Sequence, residues 1–246
     1  MVTRPNSPYA VRGQTSAAEL DVGLRAYMLK VYNYMTGGLV LTGILAYMFG
    51  TVPALQDLLY VVTPRGVAMS GLGWIVTFAP LALIFVFSFG IRSMSLGAAQ
   101  LTFWVFSALM GMSLSSVFML YTGVSIARIF FITAATFGAM SLYGYTTKRD
   151  LTGFGSFLMM GLFGLIIAGL VNIFLQSPAL YFAYSVIGTL IFIGFTAYDT
   201  QKIKETYWAG DDGVAVGKKA IYGALKLYLD FINLFIMLLR LFGNRR

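Results

Sequence analysis

The fold is decided by two apolar runs, Ser185-Val-Ile-Gly-Thr-Leu-Ile-Phe-Ile-Gly-Phe-Thr-Ala-Tyr-Asp199 and Ile221-Tyr-Gly-Ala-Leu-Lys-Leu-Tyr-Leu-Asp-Phe-Ile-Asn-Leu-Phe-Ile-Met-Leu-Leu239. Each run contains one acid, Asp199 in the first and Asp230 in the second. A carboxylate at membrane depth costs roughly 2.5–3.5 kcal/mol on insertion scales. Such a residue is retained where it faces a cavity or a partner, so this pair is the candidate functional site.

The composition is that of an integral membrane protein. The chain has 246 residues, of which 59% are hydrophobic and 11% charged, and its mean hydropathy is +0.81. A soluble domain has about 25% charged residues. The net charge of +8 does not indicate a nucleic-acid partner, because the basic residues lie between apolar segments, where cytoplasmic loops are expected to be basic.

The chain contains no cysteine and no histidine. Cysteine-based zinc and iron–sulfur sites, cysteine nucleophiles and histidine-dependent serine triads are therefore excluded. Intramembrane aspartyl proteases also use two acids on adjacent helices, but they have a Gly-Asp element, whereas Asp230 lies in Leu-Asp-Phe. We predict no enzymatic activity and no cofactor other than transiently bound Ca²⁺.

Hydropathy predicts an all-α integral membrane protein with seven transmembrane helices. We assign residues 1–27 to a polar cytoplasmic tail and residues 28–246 to the transmembrane domain. The last span is the least apolar, because Lys226 and Asp230 lie inside it, and a re-entrant segment is the alternative for it. The predicted spans are Val31–Phe49, Gly71–Gly90, Ala98–Leu120, Val124–Tyr145, Gly153–Leu175, Leu180–Asp199 and Ile221–Leu241.

Loop charges predict the orientation of the chain. The side of the membrane that holds the N-terminus has most of the lysines and arginines, which places the N-terminus in the cytoplasm and the C-terminus outside. Asp199 then lies near the cytoplasmic end of the sixth span and Asp230 about half-way along the seventh. Small residues at four-residue spacing, Ser107, Gly111 and Ser115, are expected to serve helix packing.

Helical periodicity groups the polar side chains of the last two spans into stripes that should face each other and form a polar seam. The first stripe comprises Ser185, Thr189, Thr196 and Asp199, and the second comprises Lys226, Asp230 and Asn233. Two alternatives remain. The hydroxyl groups can satisfy their own helix backbone, and Lys226 can neutralise Asp230 one turn away.

Two carboxylates close together in a low-dielectric medium cannot both ionise without cost, so the pair is expected to hold one proton between them. With no histidine in the chain, these acids are the candidate pH sensor. Ca²⁺ prefers six to eight oxygen ligands, so Asp199 and Asp230 are expected to hold it only weakly and transiently. Arg92, at the end of the second span, is a candidate latch for a carboxylate, or else a topology anchor.

Three stretches of the chain resemble the Bax inhibitor-1 family, also called the transmembrane Bax-inhibitor-motif proteins. They are Thr146-Thr-Lys-Arg-Asp-Leu-Thr152, Gly194-Phe-Thr-Ala-Tyr-Asp-Thr-Gln-Lys-Ile-Lys204 and Leu227-Tyr-Leu-Asp-Phe-Ile-Asn-Leu-Phe235. The short polar N-terminal tail is similar to that of bacterial members, which implies a location in the bacterial inner membrane. The resemblance also implies a bundle with the seventh helix at its centre.

The resemblance implies a pH-sensitive calcium leak controlled by an aspartate pair, here Asp199 and Asp230, with Arg92 as the latch. Independently of the resemblance, Lys226 is a second candidate latch or gate, because it lies one turn from Asp230 and could release it when another group competes. Another bacterial branch of the family is associated with a membrane-bound AAA protease. The alternative function is therefore a regulatory membrane protein that restrains such a protease or another quality-control partner. The expected partners are the lipid bilayer and Ca²⁺ or other cations, and we expect a monomer.

Overall fold

The computed structural model describes residues 17–64, 66–91 and 93–246, with side chains from Val22 onward. Within these residues the chain forms nine α-helices and one antiparallel hairpin of two strands. The helices are α1 (Ala17–Thr51), α2 (Pro53–Leu59), α3 (Gly71–Gly90), α4 (Leu96–Ser113), α5 (Ser115–Leu120), α6 (Gly123–Thr146), α7 (Thr152–Leu175), α8 (Pro178–Glu205) and α9 (Gly213–Phe242), and the strands are β1 (Tyr60–Thr63) and β2 (Gly66–Met69).

The predicted spans coincide with helices, but several helices are longer than predicted. Helix α3 has the predicted limits, whereas α1 begins at Ala17, inside the stretch assigned to the tail, and α9 begins at Gly213 instead of Ile221. Hydropathy detects only the part of a helix that is apolar, and a polar first or last turn extends it without changing the apolar window. The predicted third span is interrupted at Leu114, between α4 and α5. Residues 1–16 of the predicted tail lie outside the described residues.

In the part of the chain that the structure describes, six helical segments are long and apolar enough to cross a membrane, judged by length and composition. Helix α9 is not among them. It is nevertheless one continuous helix of 30 residues, about 45 Å long at 1.5 Å per residue. A re-entrant segment would reverse direction, and α9 does not. Its role as a seventh span stays a prediction.

Helix α9 lies in the middle of the helix bundle. It packs against α1, α4, α6 and α8, and its buried residues extend around most of its circumference. Tyr228 is fully buried there, with edge-on ring contacts to Phe103 and Phe106 of α4. A helix that is buried on most sides is enclosed by protein and not by lipid, so the polar side chains of α9 face other helices.

Small residues allow the close helix contacts that surround α9. Ser107, Gly111 and Ser115 are buried, as their predicted packing role requires. A Cβ atom at Gly111 would lie 2.7 Å from the carbonyl oxygen of Thr42, so only glycine permits this approach of α4 to α1. A Cβ at Gly144 would overlap the backbone of Ala197, where α6 crosses α8.

The connection between α8 and α9 positions the candidate site. Asp212 directly precedes α9, and its carboxylate accepts a hydrogen bond of 2.6 Å from the backbone N–H of Ala215. This is an N-cap, which satisfies a backbone donor at the start of the helix. Asp211, its neighbour, forms an ion pair with Lys219 at 2.5 Å. The short connection returns the chain antiparallel to α8 and places the second half of α8 beside the first half of α9.

Candidate functional site

Asp199 and Asp230 line the same cavity. The sequence predicts that the polar stripes of the last two spans face each other, and these two acids do so. The cavity has a volume of about 450 Å³ and lies between α7, α8 and α9. Its charged and amide-bearing residues are Asp199, Lys226, Asp230 and Asn233, all from α8 and α9. Its apolar and aromatic lining comprises Met159, Leu162, Leu165, Ile166, Tyr184, Phe192, Phe195, Tyr198, Leu229 and Met237. We call it the acid cavity.

Lys226 forms an ion pair with Asp199 and not with Asp230. Its Nζ lies 3.4 Å from Oδ1 of Asp199, and its side chain also lies over the ring of Tyr222, 5.7 Å from the ring centroid. A local Lys226–Asp230 salt bridge, which the four-residue spacing allows, is absent from the ion pairs of the described residues. The alternative was wrong because spacing along one helix cannot reveal a partner on the next helix.

Asp230 is the most deeply placed charged side chain of the site. The residue is 6% exposed, and its Oδ2 atom has no hydrogen-bond partner among the described residues. The side chain of Asp199 is 13% exposed and that of Lys226 is 37% exposed. A buried carboxylate oxygen without a partner is costly, which makes Asp230 the least satisfied polar group of the site.

The polar seam is narrower than predicted. Ser185, Thr189 and Thr196 are buried, and their hydroxyl groups donate to backbone carbonyls one turn earlier in α8, at 2.9, 2.8 and 2.8 Å. None of these three residues lines the acid cavity. Ser and Thr inside a helix commonly bond to their own backbone in this way, which was the alternative for these residues.

Asn233 does line the acid cavity, and its amide nitrogen donates to the carbonyl of Leu229 at 2.8 Å. Asn233, Asp230 and Lys226 therefore form one stripe along α9, with the spacing that the sequence predicts. Arg92, the candidate latch, lies outside the described residues. Its predicted contact with a carboxylate stays a prediction.

Gln201 is a buried residue of the same region that the sequence reasoning missed. Its side chain joins the end of α8 to the loop between α6 and α7, accepting a bond of 2.9 Å from the N–H of Leu151 and donating one of 2.8 Å to the carbonyl of Arg149. Lys204 adds a bond of 2.8 Å to the carbonyl of Tyr145. The signal for Gln201 was its place in the same family-resembling stretch as Asp199, because the stretch Thr146–Thr152 contains its partners Arg149 and Leu151.

The loop itself is ordered by Asp150. The Oδ1 atom of this exposed carboxylate accepts bonds from the hydroxyl and the backbone N–H of Thr152, at 2.5 and 2.8 Å. The hydroxyl bond, and secondly the backbone bond, lower the pKa of Asp150 below its ordinary value. The three stretches that resemble the Bax inhibitor-1 family are thus joined at one end of the bundle. Gln201 joins the loop to α8, and the ion pair of Asp199 with Lys226 joins α8 to α9.

A resident metal centre is not built from these side chains. Within the described ranges, no group of three or more acids, histidines or cysteines is collected. Two carboxylates and one amide supply fewer oxygens than the six to eight that Ca²⁺ prefers. Weak and transient binding of Ca²⁺ by Asp199 and Asp230 stays a prediction.

A model of the family described as inhibitor of apoptosis-promoting Bax1 matches residues 24–246 of the chain. The chain belongs to the Bax inhibitor-1 family. The match covers α3 to α9 completely and α1 from Leu24 onward. The family is one of membrane proteins and not of enzymes.

Relatives of the chain occur in several bacteria. The inner membrane protein YbhL of Escherichia coli is 50% identical over 233 residues, which are 94% of this chain and 97% of YbhL. Uncharacterized proteins of Rickettsia prowazekii and Caulobacter vibrioides are 53% and 51% identical, and 92% of each chain is covered. This Bax inhibitor-1 family member is therefore a multi-pass membrane protein similar over nearly its whole length to a protein of the bacterial inner membrane.

Proposed function

We propose that this protein is a pH-sensitive cation leak channel of the bacterial inner membrane, with Ca²⁺ as the favoured ion. The observation that supports it is the acid cavity, in which one ammonium group, that of Lys226, lies with two carboxylates, those of Asp199 and Asp230. The N-terminus is cytoplasmic in this proposal, and α9 crosses the membrane as the seventh span.

The charge balance of the cavity explains why protons and cations would compete there. With all three groups ionised, the cavity has a net charge of −1. A net charge in a low-dielectric site is unfavourable, so the site takes up either a proton or a cation. Protonation removes the cation's ligand, and loss of the proton restores it. The two carboxylates titrate as a pair in this mechanism, and the pair sets the pH dependence of the leak.

Lys226 would act as the gate of this site. It holds Asp199 through an ion pair of 3.4 Å, which is longer than the 2.7–2.9 Å of a strong charge-assisted bond. A cation entering the cavity repels the ammonium group and competes with it for Asp199. Displacement of Lys226 changes how α8 and α9 meet, because this ion pair joins the two helices. Arg92 remains the proposed latch.

The test is Ca²⁺ flux into proteoliposomes over a series of pH values. We expect Asp230→Asn and Asp199→Asn each to abolish the pH dependence of the flux. The matched control is Asp211→Asn, which removes an acid of α8–α9 outside the acid cavity and should leave that dependence in place. A pH dependence that survives both substitutions in the acid cavity would reject the sensor, and absence of any flux in the wild-type protein would reject the channel.

The second candidate function is the restraint of a membrane-bound AAA protease. The observation that favours it is α7, which packs mainly against α8 and presents large apolar side chains outward, among them Phe157, Phe163 and Phe174. Such a face can receive a transmembrane helix of a partner as well as lipid. The test is co-purification of the protease with wild-type protein and with Phe163→Ala, and unchanged recovery with the variant would count against this face.

A further inference from the structure

A second polar cavity lies on the other side of Lys226, and its chemistry is opposite to that of the acid cavity. It has a volume of about 520 Å³ and is enclosed by the end of α3, the last turns of α8 and the first turns of α9. Its charged residues are Lys202, Lys218, Lys219 and Lys226. We propose that this lysine cavity is a binding site for a phosphate-bearing anion, supplied either as a lipid headgroup or as a free phosphate.

The charge of the lining supports an anionic ligand. All the charged side chains that line the cavity, of those that the structure describes, are lysines. Ser88 and Thr206 are also in the lining, but each hydroxyl donates its proton at 2.8 Å to a backbone carbonyl one turn earlier, that of Ile84 or Lys202, so the ammonium groups are the donors that face an anion. Basic pockets between transmembrane helices are sites where phosphate headgroups bind, and the volume lies within the range of ligand pockets, about 300–1,000 Å³.

The lysines are held in place by neighbouring groups. The ammonium group of Lys219 is 2.5 Å from Asp211, and that of Lys202 is 2.8 Å from Glu205, while Lys218 donates to the carbonyl of Met94 at 3.1 Å. Asp211 and Glu205 do not line the cavity, so they orient the lysines from outside it. Lys218 and Lys226 lie eight residues apart on α9 with Tyr222 midway between them, and four-residue spacing places all three on one face.

Lys226 lines both cavities, which couples them. An oxyanion bound among the lysines would compete with Asp199 for the ammonium group of Lys226. Capture of that group would leave Asp199 and Asp230 without their cation. An anion in the lysine cavity would then regulate the acid cavity, and this coupling, unlike the binding itself, rests on the proposed function.

The binding test uses the full-length protein in a neutral detergent with inorganic pyrophosphate as the probe, followed by calorimetry. We expect Lys218→Gln combined with Lys219→Gln to weaken binding about thirtyfold, since each basic residue near a membrane surface contributes about 1 kcal/mol. The matched control is Lys148→Gln with Arg149→Gln, which removes the same charge from an exposed loop that does not line the cavity. Equal weakening in both double variants would overturn the site, because it would mean that only the net charge matters.

A further variant keeps the binding test informative if the double variant misfolds. Lys202→Gln replaces a side chain that is 28% exposed, and it should weaken pyrophosphate binding about fivefold without loss of helix content.

A lipid-binding experiment distinguishes the two sources of phosphate. Native mass spectrometry compares retention of phosphatidylglycerol with that of phosphatidylcholine from mixed nanodiscs. Pyrophosphate binding in detergent supports a free phosphate, and selective retention of phosphatidylglycerol that the cavity variants lose supports a headgroup. If neither occurs, the proposal is wrong, whatever the flux experiment shows.

Discussion

Two polar clusters lie on different faces of α8, and they differ in how completely their groups are paired. In one, the hydroxyl of Ser141 lies 2.6 Å from that of Tyr32 and 3.0 Å from that of Thr200, which also donates to the carbonyl of Thr196 at 2.7 Å. In the acid cavity, the pair between Lys226 and Asp199 is long at 3.4 Å, and Asp230 keeps an oxygen without a partner. We call the first the hydroxyl network.

This difference separates a structural cluster from a functional one. Buried polar groups that satisfy each other contribute to stability, whereas a buried group without a partner reduces it. Residues that lower the stability of the folded protein are expected at sites where function requires them. The comparison predicts that neutralising the unpartnered Asp230 raises the free energy of unfolding, whereas removing a partnered hydroxyl such as that of Ser141 lowers it.

The largest expected effect comes from Lys226→Met, which removes the one ammonium group that lines the acid cavity among the described residues and leaves two acids behind. Removing one partner of a fully buried ion pair costs about 3–5 kcal/mol, and we expect about 2 kcal/mol here because solvent screens the side chain of Lys226, which is 37% exposed. The measurement is equilibrium unfolding in detergent. Adding Asp199→Asn should recover most of the loss, and a double variant as unstable as the single one would contradict the charge argument.

Asp230→Asn should act in the opposite direction. It removes the charge from a buried carboxylate that has an unpartnered oxygen, so we expect the free energy of unfolding to rise by about 1 kcal/mol. Asp211→Asn is the matched control, because the same chemical change there weakens a close ion pair with Lys219 and should lower stability. A loss of stability for both variants would mean that Asp230 is satisfied in solution, and the two clusters would no longer differ.

The sequence was sufficient to find these acids but not to find their partners. Apolar runs predicted α3 with its limits from Gly71 to Gly90, because the helix ends where the apolar residues end. The same method missed α2 and the hairpin of β1 and β2, since segments of 7 and 4 residues are too short for a hydropathy window. The pairing of Lys226 with Asp199 depends on how α8 packs against α9, which periodicity within one helix cannot determine.

Helical periodicity also placed the hydroxyl-bearing residues of α8 on the same stripe as Asp199, although they do not share its cavity. Thr196 and Asp199 are three residues apart and were placed on one stripe, yet Thr196 is bonded to its own helix and to Thr200 of the hydroxyl network. A stripe on a helix is wide enough to face two neighbours at once. The sequence therefore predicted which residues are polar and buried, and tertiary contacts decided which of them share a cavity.

Ser141→Ala should reduce stability by about 1 kcal/mol, because it removes the hydroxyl that links Tyr32 to Thr200. The flux and its pH dependence should be unchanged, which distinguishes this cluster from the acid cavity. Unfolding in detergent measures the first effect and proteoliposome flux the second. Tyr32→Phe is the control within the network, and it should have a smaller effect because Ser141 keeps its bond to Thr200. A changed pH dependence in either variant would show that the hydroxyl network belongs to the functional site.

The smallest effect is expected at Asp150, an exposed acid whose Oδ1 atom accepts two hydrogen bonds. The bonds from Thr152 hold the pKa of Asp150 below its ordinary value, so the folded state favours the ionised form. The resulting stability is present above the ordinary carboxyl pKa of about 4 and is lost as the pH falls through the lower folded value. Asp150→Asn should accordingly reduce stability at neutral pH, and the difference from wild type should disappear in acid when unfolding is measured between about pH 2 and pH 7. Thr152→Val removes the hydroxyl donor and should weaken the same dependence, whereas a difference that persists at the acid end would mean that the carboxylate charge is not what Thr152 stabilises.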